Sequence, residues 1–137
     1  MIRIEVMSVM VNDQEKAHDF YTGILGFQVR HNVDVGGAAW LTVVSPADPD
    51  GPEVLLEPDW NPQIEIEGKP AAQVFKQVLY DAGIPFTSFG TDDIHGEFER
   101  MKELGVEFKM EPTDAGPVTV AIFDDTCGNL IQLHQPG

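Results

Sequence analysis

Positive charge is scarce in this chain: 8 Lys and Arg stand against 23 Asp and Glu, for a formal net charge of −15. Phosphate binding needs a Lys/Arg patch, so nucleic acid is not an expected partner. Cysteine is nearly absent. The lone Cys127 rules out an intramolecular disulfide and fits a reducing cytosol. No apolar run approaches the roughly 18 residues of a membrane span, and no secretory signal is legible. No membrane partner is therefore expected, and the expected location is cytoplasmic. Phosphate-cradling motifs are missing too, since Gly36-Gly37 lacks the strand-to-helix setting such a loop requires. No Ser-centred nucleophile elbow occurs. Low-complexity segments are also absent, and 42% of the residues are apolar, which excludes global disorder. The 137 residues fit one domain, and a chain of this size buries roughly 70% of its unfolded surface.

What is present is a repeat. Val9-Met10-Val11-Asn12-Asp13 opens a helix that ends at Leu25-Gly26-Phe27, and Phe89-Gly90-Thr91-Asp92-Asp93 opens another that ends at Leu104-Gly105-Val106. Each is followed by strand-like runs, an Asp/Gly turn and a last apolar strand. In the first copy these are Asp50-Gly51 and Val54-Leu55-Leu56. In the second they are Asp125-Thr126-Cys127-Gly128 and Leu130-Ile131-Gln132-Leu133.

Alternation and turn residues predict strands at 2–11, 27–35, 38–45 and 53–57 in the first copy. Asn12 or Asp13 caps the first helix, whose buried stripe is Ala17, Phe20, Tyr21, Ile24 and Leu25. In the strand from Phe27, strict alternation puts Phe27, Val29, His31, Val33 and Val35 on one face. Residues 58–69, with Pro58, Pro62 and Gly68, read as a linker. Pro70 then fits the first turn of an extra helix with Ala71, Val74, Phe75, Val78, Leu79 and Ala82 as its stripe. The second copy predicts strands at 84–91, 106–111, 117–123 and 129–134. Its helix is capped by Asp93 and buries Ile94, Phe98, Met101 and Leu104. The expected organisation is a single domain over 1–137: unit one at 1–57, linker and helix at 58–83, unit two at 84–137.

With Val11-Asn12-Asp13 through Phe20-Tyr21 and Leu25-Gly26-Phe27, and with Asp125-Thr126-Cys127-Gly128-Asn129 leading into Leu130-Ile131-Gln132-Leu133, the chain resembles the vicinal oxygen chelate superfamily. That superfamily includes glyoxalase I, bleomycin-resistance proteins and extradiol dioxygenases. The resemblance covers nearly the whole chain apart from 58–82. It implies an α+β fold of two βαβββ units forming an open barrel-like cleft, with one extra helix between the units, and it implies a homodimer. Enzymatic members hold a divalent metal with His on the first strand of each unit and Glu on the last, and the metal acts as a Lewis acid on two neighbouring substrate oxygens.

This sequence departs from that ligand set. Counting back from the helix-opening Asp puts the two His positions on Val6 and Phe86, and the last-strand position of the second unit falls on Gln132. In the first unit, aligning Gly51 with Gly128 places Leu55 there, whereas a two-residue insertion places Glu57 there. One carboxylate and one amide make a poor transition-metal site, because such metals favour imidazole or thiolate. No metal and no other cofactor is therefore expected at the family position, although a nonstandard divalent site stays open.

The candidate ligand-binding residues are Val6, Ser8, Trp40, Glu57, Phe86, Ser88, Gln132 and His134. They read either as an apolar pocket with Ser8, Ser88, Gln132 and His134 as polar anchors, or as a filled interior. The catalytic candidates are His134, since imidazole is the side chain suited to acid/base work near neutral pH, which reads otherwise as a half-exposed, idle terminal-strand histidine, and Glu57, which reads as a lone metal ligand, a general base, an anchor for a cationic ligand or an edge-strand surface side chain. His31 reads as a satisfied, partly buried imidazole, and His18 and His95 as solvated. Trp40 is either core or an aromatic wall; Trp60 is a lid, a dimer contact or simple packing. Cys127 has no evident basic neighbour to activate it. The leading expectation is a family member that has lost the standard metal and binds a small organic molecule, with the acidic balance fitting a cationic or amphipathic one. The alternative is a lyase, isomerase or dioxygenase-like enzyme using Glu57, Gln132 and His134 in a metal-assisted or metal-free site. A third reading is a dimer module without a ligand.

Overall fold

Alternating apolar residues form the first strand, β1 (Val6–Val11), in the computed structural model of the chain, which describes residues 1–60 and 64–137. β1 is shorter than its apolar pattern suggested. Met1, Ile2 and Ile4 are fully or largely exposed, so apolar character there does not recruit a strand partner. Asp13 caps the next element by accepting a hydrogen bond from the Lys16 N–H at 3.1 Å. The element begins as α1 (Gln14–Asp19) and widens into a π-helical turn over Phe20–Ile24. Leu25 N–H accordingly reaches back to the Phe20 carbonyl at 3.2 Å. Three antiparallel strands follow: β2 (Gln28–Asp34), β3 (Ala39–Val44) and β4 (Glu53–Pro58). β1 pairs in parallel with β4, giving the order β1-β4-β3-β2 in an open four-stranded sheet.

One face of this sheet carries the helix and the core. Val9, Val11, Leu41, Val43 and Leu56 meet Ala17, Phe20 and Tyr21, and all are buried. Burying each large side chain contributes about 1.5–3 kcal/mol. Gln14 adds a polar tie on the same side. β3 and β4 are in register only at Thr42↔Leu55 and Val43↔Val54. Beyond that pair the Gln14 amide fills in. Its Nε2 donates to the Ala39 and Leu56 carbonyls, each at 2.8 Å, and its Oε1 accepts from the Ala39 N–H at 2.9 Å.

The segment expected as an unstructured linker contains a small ribbon of β5 (Glu65–Ile66) and β6 (Lys69–Pro70). Glu67 and Gly68, at φ 52° and 82°, make its left-handed two-residue turn. Pro70 thus ends a strand instead of starting a helix. Pro62 lies outside the described residues. α2 (Ala71–Asp81) follows, and its expected apolar stripe is not buried as a stripe: Phe75 and Val78 are exposed, while Lys76 is the buried residue.

The second βαβββ set repeats the first. β7 (Thr87–Gly90), α3 (Ile94–Glu103), β8 (Phe108–Ala115), β9 (Val118–Asp124) and β10 (Leu130–Pro136) form an open sheet of order β7-β10-β9-β8. β7 again lies parallel to the last strand. Asp93 caps α3 through the Gly96 N–H at 3.0 Å. Ile94, Phe98 and Met101 are buried as expected, but Leu104 is 52% exposed because the helix ends one residue before it. The chain divides into two compact units, Met1–Val74 and Phe75–Gly137, so the division falls inside α2. The fold is α+β, built on two βαβββ sets, and neither sheet closes into a barrel. Among the described residues no helix is long and apolar enough to cross a membrane.

Candidate functional site

Strand pairing decides which side chains share the sheet face opposite α1 in the first unit and opposite α3 in the second. In the first unit Ser8 stands beside Leu55, Leu55 beside Thr42, and Thr42 beside His31. By alternation Val6, Met10, Glu53, Glu57 and Trp40 join them. This face is apolar in part and exposed around a buried centre: Val6 is 42%, Trp40 43% and Val33 55% accessible, whereas Thr42 and Leu55 are buried. Trp40 is therefore not a core residue. Ser8 is exposed, and Glu57 is half-buried beside Met10.

The expected single face of β2 is broken. Val29 pairs with Val43 but His31 pairs with Thr42, so a bulge at Arg30 turns His31 and Val33 onto the face opposite Val29. The same irregularity recurs in β8, where Phe108 pairs with Phe123 and Met110 with Ile122. In the first unit the bulge assembles a cluster that the sequence did not reveal. Glu53 accepts a hydrogen bond from Thr42 Oγ1 at 2.6 Å, and His31 Nε2 and Arg30 Nε lie 3.6 and 3.7 Å from its carboxylate. His31 is half exposed, with the Glu53 carboxylate as its neighbour. A threonine within an apolar run facing a glutamate two strands' length away was the only available signal.

In the second unit Ser88 stands beside Gln132 and Gly90 beside His134. Three expected anchors meet here in one chain of hydrogen bonds. Gln132 Nε2 lies 3.1 Å from Ser88 Oγ, and Ser88 Oγ lies 2.7 Å from His134 Nδ1. Phe86 precedes β7, is 74% exposed and packs edge-on against Phe75 with ring centroids 5.3 Å apart. At the far end of the same face Tyr80 donates to Asp124 Oδ2 at 2.5 Å. That hydrogen bond, then burial, then the carboxylate's charge, hold the phenol's pKa above its usual value.

The turn into β10 is fixed by Asp125. Its fully buried carboxylate accepts from the Cys127 N–H at 2.8 Å, the Asn129 N–H at 3.1 Å and Asn129 Nδ2 at 2.9 Å. Thr126 and Gly128 take left-handed φ values of 64° and 92° inside it. Cys127 does have a basic neighbour, the buried Lys76, but that ammonium donates to the Cys127 carbonyl oxygen at 2.8 Å. The thiol itself is buried, a structural position. His18 is paired with Asp19 at 3.0 Å on the surface, and His95 is exposed. Trp60 is half-buried just past β4.

The register also settles which residue of the first unit corresponds to Gln132. Ser8 is to Leu55 as Ser88 is to Gln132, so Leu55 holds that place and Glu57 corresponds to His134. Residues 3–133 match the Glyoxalase/Bleomycin resistance protein/Dioxygenase superfamily, and the chain belongs to it. It is 47% identical to the uncharacterized protein YurT of Bacillus subtilis (strain 168), over 98% of this chain and 99% of that one. Among solved structures it is similar to UcmS2, with a TM-score of 0.82, 29% identity and 98% coverage of both chains. It is also similar to TnmS3, an antibiotic binding protein from Streptomyces sp. CB03234, with a TM-score of 0.76 and 28% identity over 100% of this chain and 98% of that chain.

The family's metal does not fit this donor set. Val6, Phe86 and Leu55 offer no ligand atom, and Gln132 offers only an uncharged amide oxygen. Among the described residues no three His, Cys, Asp or Glu side chains converge as a metal-binding group.

Proposed function

We propose that the protein binds a small organic molecule on its open sheet faces, by apolar burial and a few hydrogen bonds, without the family's metal chemistry. The observation that carries this reading is the loss of donors at the metal positions, with Leu55 and Gln132 in the last-strand places, while exposed Val6, Trp40 and Phe86 remain beside polar anchors. Soluble monomeric surfaces rarely expose apolar side chains in groups without a ligand or partner. The description of TnmS3 as an antibiotic binding protein supports the same reading. On the face of the first unit Ser8 supplies an anchor, Val6 and Trp40 the apolar contacts and Glu57 an acceptor for a cationic group; on the face of the second, Ser88, Gln132 and His134 supply the anchors and Phe86 the apolar contact. The net charge of −15 favours an amphipathic or cationic ligand, the chain works as a homodimer in the cytoplasm, and no cofactor is required.

A second reading rests on the Ser88–His134 contact, which places an imidazole against a hydroxyl in a metal-free acid/base arrangement. Two measurements test metal-free binding, and an assay for turnover separates it from the second reading. Elemental analysis and thermal unfolding with zinc, nickel, iron and manganese are expected to show no stoichiometric metal and no stabilisation. Ligand titration followed by tryptophan fluorescence is expected to quench Trp40, and Trp40→Ala to weaken binding about tenfold while costing little stability. One tightly held metal per chain would sink the metal-free reading, and turnover of a bound compound would replace binding with catalysis.

A further inference from the structure

The direction of the Ser88–His134 link determines what the site recognises, and Gln132 biases it. Gln132 presents an N–H to Ser88 Oγ at 3.1 Å. A serine hydroxyl has one proton to donate. With one lone pair of its oxygen taken by Gln132, Ser88 is placed to give that proton to His134 Nδ1 at 2.7 Å, although its second lone pair would also suit an Nδ1–H. A neutral imidazole whose Nδ1 accepts must carry its proton on Nε2. Within this unit Nε2 makes no hydrogen bond. It lies over Gly90, where the place a Cβ would occupy is 3.3 Å away, so the bare glycine leaves the flank of Nε2 open on the exposed face.

The geometry points to His134 Nε2–H as a fixed hydrogen-bond donor that selects a ligand with an acceptor oxygen, such as an aromatic ketone or quinone, with Ser88 and Gln132 as positioning residues that hold the tautomer. This rests on the small-molecule reading above and narrows it. The overall acidity of the chain attracts cations at long range, but at this point the site offers a donor, and an ammonium group finds nothing to bond to at Nε2.

The tautomer is read directly from the 15N shifts of His134 in the ligand-free protein at about pH 8.5, where imidazoles are neutral. The expected result is a protonated Nε2 and an accepting Nδ1. Ser88→Ala should give mixed tautomers. Gln132→Glu is near-isosteric and reverses the chain: its carboxylate only accepts, so Ser88 donates to it and Nδ1–H of His134 donates to Ser88. A protonated Nδ1 in the wild-type protein, or a tautomer unmoved by Gln132→Glu, overturns the inference. Recognition is tested with 2-acetylnaphthalene and 2-isopropenylnaphthalene, which differ in the acceptor oxygen. The ketone should bind about fivefold tighter to the wild type, the size of one net hydrogen bond, and equally well to Gln132→Glu. Equal affinities for the wild type overturn the acceptor specificity alone. Binding of neither probe overturns the small-molecule reading, and the specificity falls with it.

Discussion

Replacing Gln14 with leucine tests whether its amide substitutes for strand pairing where β3 and β4 part. The side chain makes three hydrogen bonds of 2.8–2.9 Å to backbone groups of the two strands, the Ala39 N–H and the Ala39 and Leu56 carbonyls. Leucine has similar volume, so packing changes little. Each lost hydrogen bond removes about 1 kcal/mol, and the part-buried Ala39 N–H adds a desolvation cost. The total is about 3–4 kcal/mol, a large share of the usual ~5–15 kcal/mol of a folded domain. For a chain of this size that lowers Tm by roughly 10–15 °C. Urea denaturation should show a lower midpoint with an unchanged slope, since the surface exposed on unfolding stays the same. Gln14→Glu should be at least as damaging, because it turns a donor toward two carbonyls into a charged acceptor. A Gln14→Leu variant within about 1 kcal/mol of wild type would refute the reasoning and show that water satisfies those groups.

Two further perturbations probe the second unit. Asp125→Ala removes the acceptor of three N–H groups in the turn before β10, among them the buried Cys127 N–H. It should cost about 3 kcal/mol in chemical denaturation, while Asp125→Asn, which keeps one acceptor oxygen, should cost less. Tyr80 should ionise above the ordinary phenol value of 10.0 because it donates to Asp124. Its folded pKa is raised, so this contact stabilises fully below pH 10.0 and is lost as the pH climbs through the folded value. The 13C shift of the Tyr80 phenol carbon through an alkaline titration reads this directly. Asp124→Asn should bring it back toward the ordinary value, and an unchanged midpoint in that variant would remove Asp124 as the cause.

Which parts were legible follows from how local their causes are. The helix caps at Asp13 and Asp93 and the turn glycines were readable because each acts within a few residues. That Val6 and Phe86 carry no imidazole was readable because it is a matter of residue identity. His31 was misplaced because a bulge at Arg30 leaves no mark in strict alternation. The stripe of α2 misled because periodicity shows which residues share a helix side, not whether anything covers it, and Lys76 took the buried place.

By itself, the amino-acid order determined the duplicated βαβββ plan, the net negative charge and the residue types at the family's metal positions, since hydrophobic period, charge and side-chain chemistry are properties of the residues themselves. Only the tertiary structure decided that Leu55 and not Glu57 corresponds to Gln132, that Glu53 gathers Thr42, His31 and Arg30, and that Ser88 joins Gln132 to His134. Those facts depend on the register between strands far apart in the chain. A shift of one residue would send every one of these side chains to the other face of its sheet.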